Sequence, residues 1–119
     1  MPPTTSYRRG DVVLVPFPFT DLTGAKQRPA VVVSPDANNV NRPDVVIVAI
    51  TSQMPSALAS DEIAVPPGDL AACGLLKPSI VKAAKLVTIH QDLIRKRIGL
   101  MPRAALERVL EAVRKQFEQ

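Results

Sequence analysis

Three short runs of β-branched residues crowd the first half of the chain. They are Asp11-Val-Val-Leu-Val-Pro-Phe17, Arg28-Pro-Ala-Val-Val-Val-Ser34 and Asp44-Val-Val-Ile-Val-Ala-Ile-Thr51. Such residues lose side-chain freedom in a helix and pack well on a pleated surface, so each run, bounded by turn formers, predicts a strand. The runs scarcely alternate between apolar and polar, which predicts strands covered on both faces, as in a small closed barrel or a dimer. Further strands are predicted at residues 61–65, before the turn Pro66-Pro67-Gly68, and at 95–101; residues 79–82 and 85–89 read as one bent strand or two. A helix is predicted to close the chain. Pro102 suits its first position, and Leu106, Val109, Leu110, Val113 and Phe117 recur at helical spacing. Arg103/Glu107 and Glu111/Lys115 are oppositely charged i,i+4 pairs on the polar side. A short helical turn near residues 69–72 completes the pattern. The expected fold class is mainly β, in one domain over residues 9–119 behind a flexible tail at 1–8.

Several classes are excluded early. With 46% hydrophobic and 22% charged residues, the chain can bury a core and is not a disordered tail. Its longest apolar run, Val45 to Ile50, is far too short to span a bilayer. Residues 1–9 are polar and lack the apolar stretch of a secretory signal, so a cytoplasmic location without membrane partners is expected. One cysteine, Cys73, and one histidine, His90, supply neither an internal disulfide nor a zinc site, and no metal or other cofactor is expected. The net charge of +4 suits a polyanionic partner without demanding one. It is uneven: residues 1–60 hold five basic and four acidic groups, residues 61–119 ten and seven. The only aromatic rings are Tyr7, Phe17, Phe19 and Phe117, too few for reading a nucleic acid mainly by stacking.

Chemistry is expected where the second and third strands meet. If they pair as an antiparallel hairpin around residues 35–44, symmetry of length places Arg28 opposite Thr51 and Ser34 opposite Val45. Directly opposed residues share a face, with Cβ atoms about 5 Å apart. One guanidinium and one hydroxyl then converge beside the segment 18–27, flanked by Lys26 and Gln27 on one side and Ser52 and Gln53 on the other. An arginine fork matches phosphate oxygens and stays charged at every relevant pH, and a hydroxyl can donate a further bond. The plainer account is a solvated arginine and a threonine that merely ends a strand.

The residues Arg9-Gly-Asp-Val, Arg28-Pro-Ala-Val-Val-Val and Ala49-Ile-Thr-Ser-Gln53 resemble motifs of the MazF/PemK family of toxin endoribonucleases. Gly74-Leu, Ser79-Ile-Val and Leu86-Val-Thr-Ile89 continue the resemblance in order, so that it runs from Arg9 to the final helix. It implies an SH3-like, partly open barrel of about five to seven strands with a C-terminal α-helix. It also implies a homodimer, metal-independent cleavage of single-stranded RNA, and inhibition by a cognate antitoxin whose acidic, flexible tail competes with RNA for the same cations. That inhibition is expected to weaken with salt. The family's essential arginine and threonine fall on Arg28 and Thr51, the catalytic pair. Phe17, Thr20, Lys26, Gln27, Ser52, Gln53, Lys77 and Lys85 are the expected RNA contacts.

The chain departs from the family pattern in places. Ala25-Lys26-Gln27 stands where many members carry glycines, the segment from Phe17 to Gly24 differs from the Ser-Glu-Gln loop of better-known members, and Ala84-Lys85 replaces Glu-Gln. The RNA motif cannot therefore be transferred. Cys73 reads as a small buried or turn residue and His90 as a surface or capping residue. Arg95-Lys-Arg97 reads as a solvated strand edge that could add a backbone-tracking cation. Phe17 and Phe19 read first as packing. Two other functions fit the fold: a non-catalytic toxin resembling CcdB, which acts by binding a protein such as DNA gyrase, and an SH3-like interaction module. Neither needs Arg28 together with Thr51.

Overall fold

The computed structural model describes residues 6–16 and 26–118. Six strands form one antiparallel sheet: β1 (Asp11–Pro16), β2 (Gln27–Val32), β3 (Asp44–Thr51), β4 (Glu62–Ala64), β5 (Ile80–His90) and β6 (Lys96–Leu100). The spatial order is β4-β5-β3-β2-β1-β6. Among the described residues the two edge strands do not pair with each other, so the sheet is open. Helix α1 (Asp36–Asn41) joins β2 to β3, and α2 (Arg103–Lys115) follows β6.

The unbroken apolar runs have their explanation in two cores. Val12, Val31 and Val48 lie in one cross-strand row by register, and with Ile50, Val81 and Val109 they form the core on one face. Val13, Ala30 and Ala49 lie in the next row and, with Val15, Val32 and Ile47, form a second core on the opposite face. Helix α2 covers the first through Ala105 and Val109, with Leu106, Leu110 and Val113 packed against it; Ile89, Ile94 and Tyr7 pack on the second. Each fully buried valine contributes about 1.5 kcal/mol or more.

The Arg9-Gly-Asp segment secures the start of β1. The Arg9 Nε donates to the Val33 carbonyl at 2.8 Å, and Asp11, 1% exposed, accepts from the Arg8 amide and from Arg97 Nη1 at 3.3 Å.

Several details differ from the sequence reading. Residues 35–44 are not simply a loop. Helix α1 forms within them, anchored by buried Asn39, whose Oδ1 accepts from Ser34 Oγ at 2.6 Å and whose Nδ2 donates to the Ser34 carbonyl at 3.1 Å. It carries no apolar stripe, hence no periodic signal. Strand β5 is one bent strand: Lys82 pairs with Ala49 and Leu86 with Val48, so residues 83–85 bulge out between them. Pro102 is the residue before α2 rather than its first member; its carbonyl accepts from the Leu106 amide at 2.9 Å. Glu111 pairs with Arg114 at 2.8 Å, one residue short of the expected Lys115. Phe117 lies past the helix end and is 74% exposed, so it does not extend the apolar stripe.

Candidate functional site

The register places the arginine and the threonine where pairing symmetry predicts. Ala30 pairs with Ala49, Val31 with Val48 and Val32 with Ile47. Continued to the strand ends, this register sets Arg28 against Thr51. Both residues line one open cavity of about 290 Å³, together with Gln27 and Ser52 from the same two ends. Its remaining walls are apolar side chains of the sheet, Leu14, Pro29, Ile50 and Ile98, and the segment Gly74 to Lys77 with Ser79. Among the described residues, none that lines the cavity is acidic. The exposed guanidinium of Arg28 and the exposed Lys77 therefore meet no counter-charge from the lining, a setting that favours an anion.

Thr51 is held in a particular hydrogen-bonding state. Its Oγ1 accepts the Gln53 backbone N–H at 3.1 Å. With one lone pair occupied, the hydroxyl proton is free to point at a ligand oxygen. Ser79 Oγ donates to the Lys77 carbonyl at 2.8 Å, and this bond shapes the turn that carries Lys77.

The wall opposite the hairpin depends on two glycines. Gly74 adopts φ +71°, and a Cβ there would lie 2.1 Å from the Ile98 carbonyl oxygen. A Cβ on Gly99 would lie 2.3 Å from the Cys73 carbonyl carbon. Only side-chain-free residues allow the segment 72–74 to press on β6, where the Leu100 amide donates to the Ala72 carbonyl at 2.8 Å. This contact places Leu75, Leu76 and Lys77 at the cavity. The role of the glycine pair was missed by sequence reasoning, although Gly74-Leu75 stood out as a motif. Leu14, Pro29, Ile50, Leu76, Ser79 and Ile98 were missed as lining too; as ordinary strand or turn residues they carry no distinguishing signal.

The remaining sequence candidates divide. Lys26 and Gln53 flank lining residues but do not line the cavity themselves. Lys85 sits on the β5 bulge and is not brought to the cavity, because residues 83–85 leave the ladder between Ala49 and Val48. Phe17 and Thr20 lie outside the described residues, as does Phe19. His90 pairs with Asp44 at the far end of β3, about 23 Å of strand from Thr51. Its Nδ1 accepts the Asp92 amide at 3.0 Å, a capping role that removes it from acid–base work at the cavity. Cys73 is fully buried, and burial, aided by the Asp69 charge, pushes its thiol above the ordinary value, which makes it a poor nucleophile. Among the described residues no three His, Cys, Asp or Glu side chains are placed to hold a metal, and no helix is long and apolar enough to cross a membrane.

Residues 8–117 match the sequence model of the PemK-like, MazF-like toxins of type II toxin-antitoxin systems. No curated protein sequence matches. Among solved structures, a mycobacterial endoribonuclease in complex with its cognate antitoxin is 25% identical, with 92% of each chain covered and a TM-score of 0.74. MazF from Deinococcus radiodurans is 20% identical over 97% of this chain and 99% of its own, with a TM-score of 0.76. The MazE–MazF complex of the same organism superposes with a TM-score of 0.72 at 21% identity, covering 97% and 98%. These last two likenesses show a shared fold.

Proposed function

The chain belongs to the PemK-like, MazF-like toxin family, and from that premise we propose that it is the toxin of a type II toxin–antitoxin pair, an endoribonuclease that cuts single-stranded RNA and so arrests translation and growth. The observation that carries the reading is the convergence of Arg28 and Thr51, through the β2–β3 register, on one cavity to which the described residues bring no acidic side chain. A toxin that acted only by binding a protein would have no use for this pair, and nothing else at the site favours that alternative.

In the proposed reaction the ribose 2′-oxygen attacks the adjacent phosphorus and the bond to the 5′-oxygen breaks. The products are a 2′,3′-cyclic phosphate and a 5′-hydroxyl. The 2′-hydroxyl proton passes to solvent or a base, and a proton is delivered to the departing oxygen. Arg28 holds two phosphate oxygens and stabilises the charge that builds on them in the transition state; as a permanent cation it is not the base. Thr51 donates its free proton to a phosphate oxygen or orients the 2′-oxygen. No step requires a metal. Gln27, Ser52 and Lys77 hold the flanking nucleotides. The cognate antitoxin, with an acidic segment, occupies the same cations, and the active toxin is a homodimer.

The test is incubation of a mixed-sequence single-stranded RNA with the purified protein in excess EDTA, beside Arg28→Ala and Thr51→Ala. Discrete cuts by the wild type, lost in both variants, are expected. A folded wild type that cuts none of several RNAs would overturn the nuclease reading.

A further inference from the structure

We infer that Arg95 and Lys96, at the start of β6, form a second phosphate-binding step that holds the RNA backbone beside the cleavage site. The inference rests on the nuclease reading and adds to it the path of the substrate. Lys96 pairs with Leu14 on β1, and the Arg95 amide donates to the carbonyl of that same Leu14 at 2.8 Å. Two consecutive cations therefore meet β1 at one residue, and that residue is a wall of the cavity. Ile98, two positions further along β6, is another. The pair thus stands beside the cavity wall that Leu14 and Ile98 form, without lining the cavity itself.

Both side chains are exposed. Arg97, next in the run, differs in kind. It pairs across β1 with Val13, and its guanidinium is committed to buried Asp11 at 3.3 Å. The acid nearest in sequence, Asp92, lies 3.7 Å from His90 Nδ1. Arg95 and Lys96 enter no ion pair among the described residues.

Distance favours one continuous ligand. Arg28 on β2 is separated from β6 by β1 alone, so the two cation groups stand two strand spacings apart, about 10 Å between backbones. Long flexible side chains at each end can grip neighbouring phosphates of one extended strand. Such contacts carry no sequence information but set affinity and register. A strand edge also carries lysine and arginine to prevent edge-to-edge association, and that role would show in solution behaviour rather than in RNA binding.

The experiment compares wild type, the double variant Arg95→Gln/Lys96→Gln, Arg95→Lys, and Arg108→Gln as a control for lost charge on α2. Binding of a non-cleavable 2′-O-methyl RNA is measured by fluorescence anisotropy across salt, and cleavage is measured on a long and a minimal RNA. For the double variant the slope of log affinity against log salt should fall by about 1.4, two single-strand contacts at about 0.7 each. KM should rise several-fold on the long RNA, with kcat on the minimal one unchanged. Arg95→Lys should retain most of the slope, and Arg108→Gln all of it. A double variant with the slope and KM of Arg108→Gln overturns the inference, as does one that only self-associates. If the wild type cuts RNA and the slope does not move, this inference fails alone. If the wild type neither cuts nor binds RNA, the nuclease reading fails and takes it along.

Discussion

Gly74→Ala probes how the cavity wall is built. The residue sits at φ +71°, where an L side chain costs about 1–2 kcal/mol. The new methyl would also start 2.1 Å from the Ile98 carbonyl oxygen, where ordinary contact needs about 3.5 Å. Either β6 or the segment 72–74 must retreat, straining the Leu100-to-Ala72 hydrogen bond, and such overpacking costs about 1–3 kcal/mol. Together the two effects predict about 2–5 kcal/mol of destabilisation, which lowers Tm by roughly 8 °C or more in a domain of this size. The same retreat displaces Leu75, Leu76 and Lys77, and a shift of about 1 Å at a site can cost about a hundredfold in rate. Thermal and urea unfolding measure the first effect. RNA cleavage at low temperature, normalised to folded protein, measures the second. Gly68→Ala is the control, since nothing lies within 4 Å of a Cβ there; it should change stability by no more than about 0.5 kcal/mol. A Gly74→Ala protein within about 1 kcal/mol of wild type and equally active would refute the packing argument.

Three other expectations can be checked with single variants. Arg28→Lys keeps a positive charge but loses the planar fork, so cleavage should fall by about 10²-fold or more while Tm stays within a degree or two, because the side chain is exposed. Cys73 should resist alkylation in the native protein and label at the rate of unfolding; Cys73→Ala should keep full activity after correction for stability. Glu62 accepts the Ala59 amide at 2.8 Å and lies 3.4 Å from Lys82 Nζ, and the amide bond is the chief cause of its depressed pKa. A carboxylate depressed in the folded state stabilises fully above its ordinary value of 4.5 and loses that contribution as pH falls through the lower folded value. Glu62→Gln should therefore flatten the acid limb of the stability–pH curve below about 4.5 and leave its alkaline limb unchanged.

Much of this was legible in the chain before any coordinates. The β-branched runs announced β1, β2 and β3, and aligning residues 28–34 with 45–51 by length gave the register in which Ala30 pairs with Ala49, although runs apolar on both faces do not fix a register by themselves. The C-terminal helix followed from Leu106, Val109, Leu110 and Val113. What escaped was whatever depends on contacts distant in sequence. Helix α1 has only Ala37 and Val40 as apolar members and exists because Asn39 is bonded to Ser34. The β5 bulge that carries Lys85 away from the cavity is set by pairing with β3 and β4, not by the local residues Ala83-Ala84-Lys85. Half of the cavity wall rests on two glycines 25 positions apart, and neither reveals its partner until β6 is laid against the segment 72–74. Arg95 and Lys96 read as a solvated strand edge that could add a backbone-tracking cation, and only their common neighbour Leu14, which lines the cavity, ties them to it.

In the proposed reaction Arg28 and Thr51 act as one unit on one phosphate. A double-mutant cycle on RNA cleavage tests it most directly, with Arg28→Ala, Thr51→Ala and the combined variant measured under single-turnover conditions. Groups that act together on one transition state are strongly non-additive. The combined variant should be little slower than the worse of the two single variants. Losses that simply multiply, or a single variant that cuts like wild type, would contradict it.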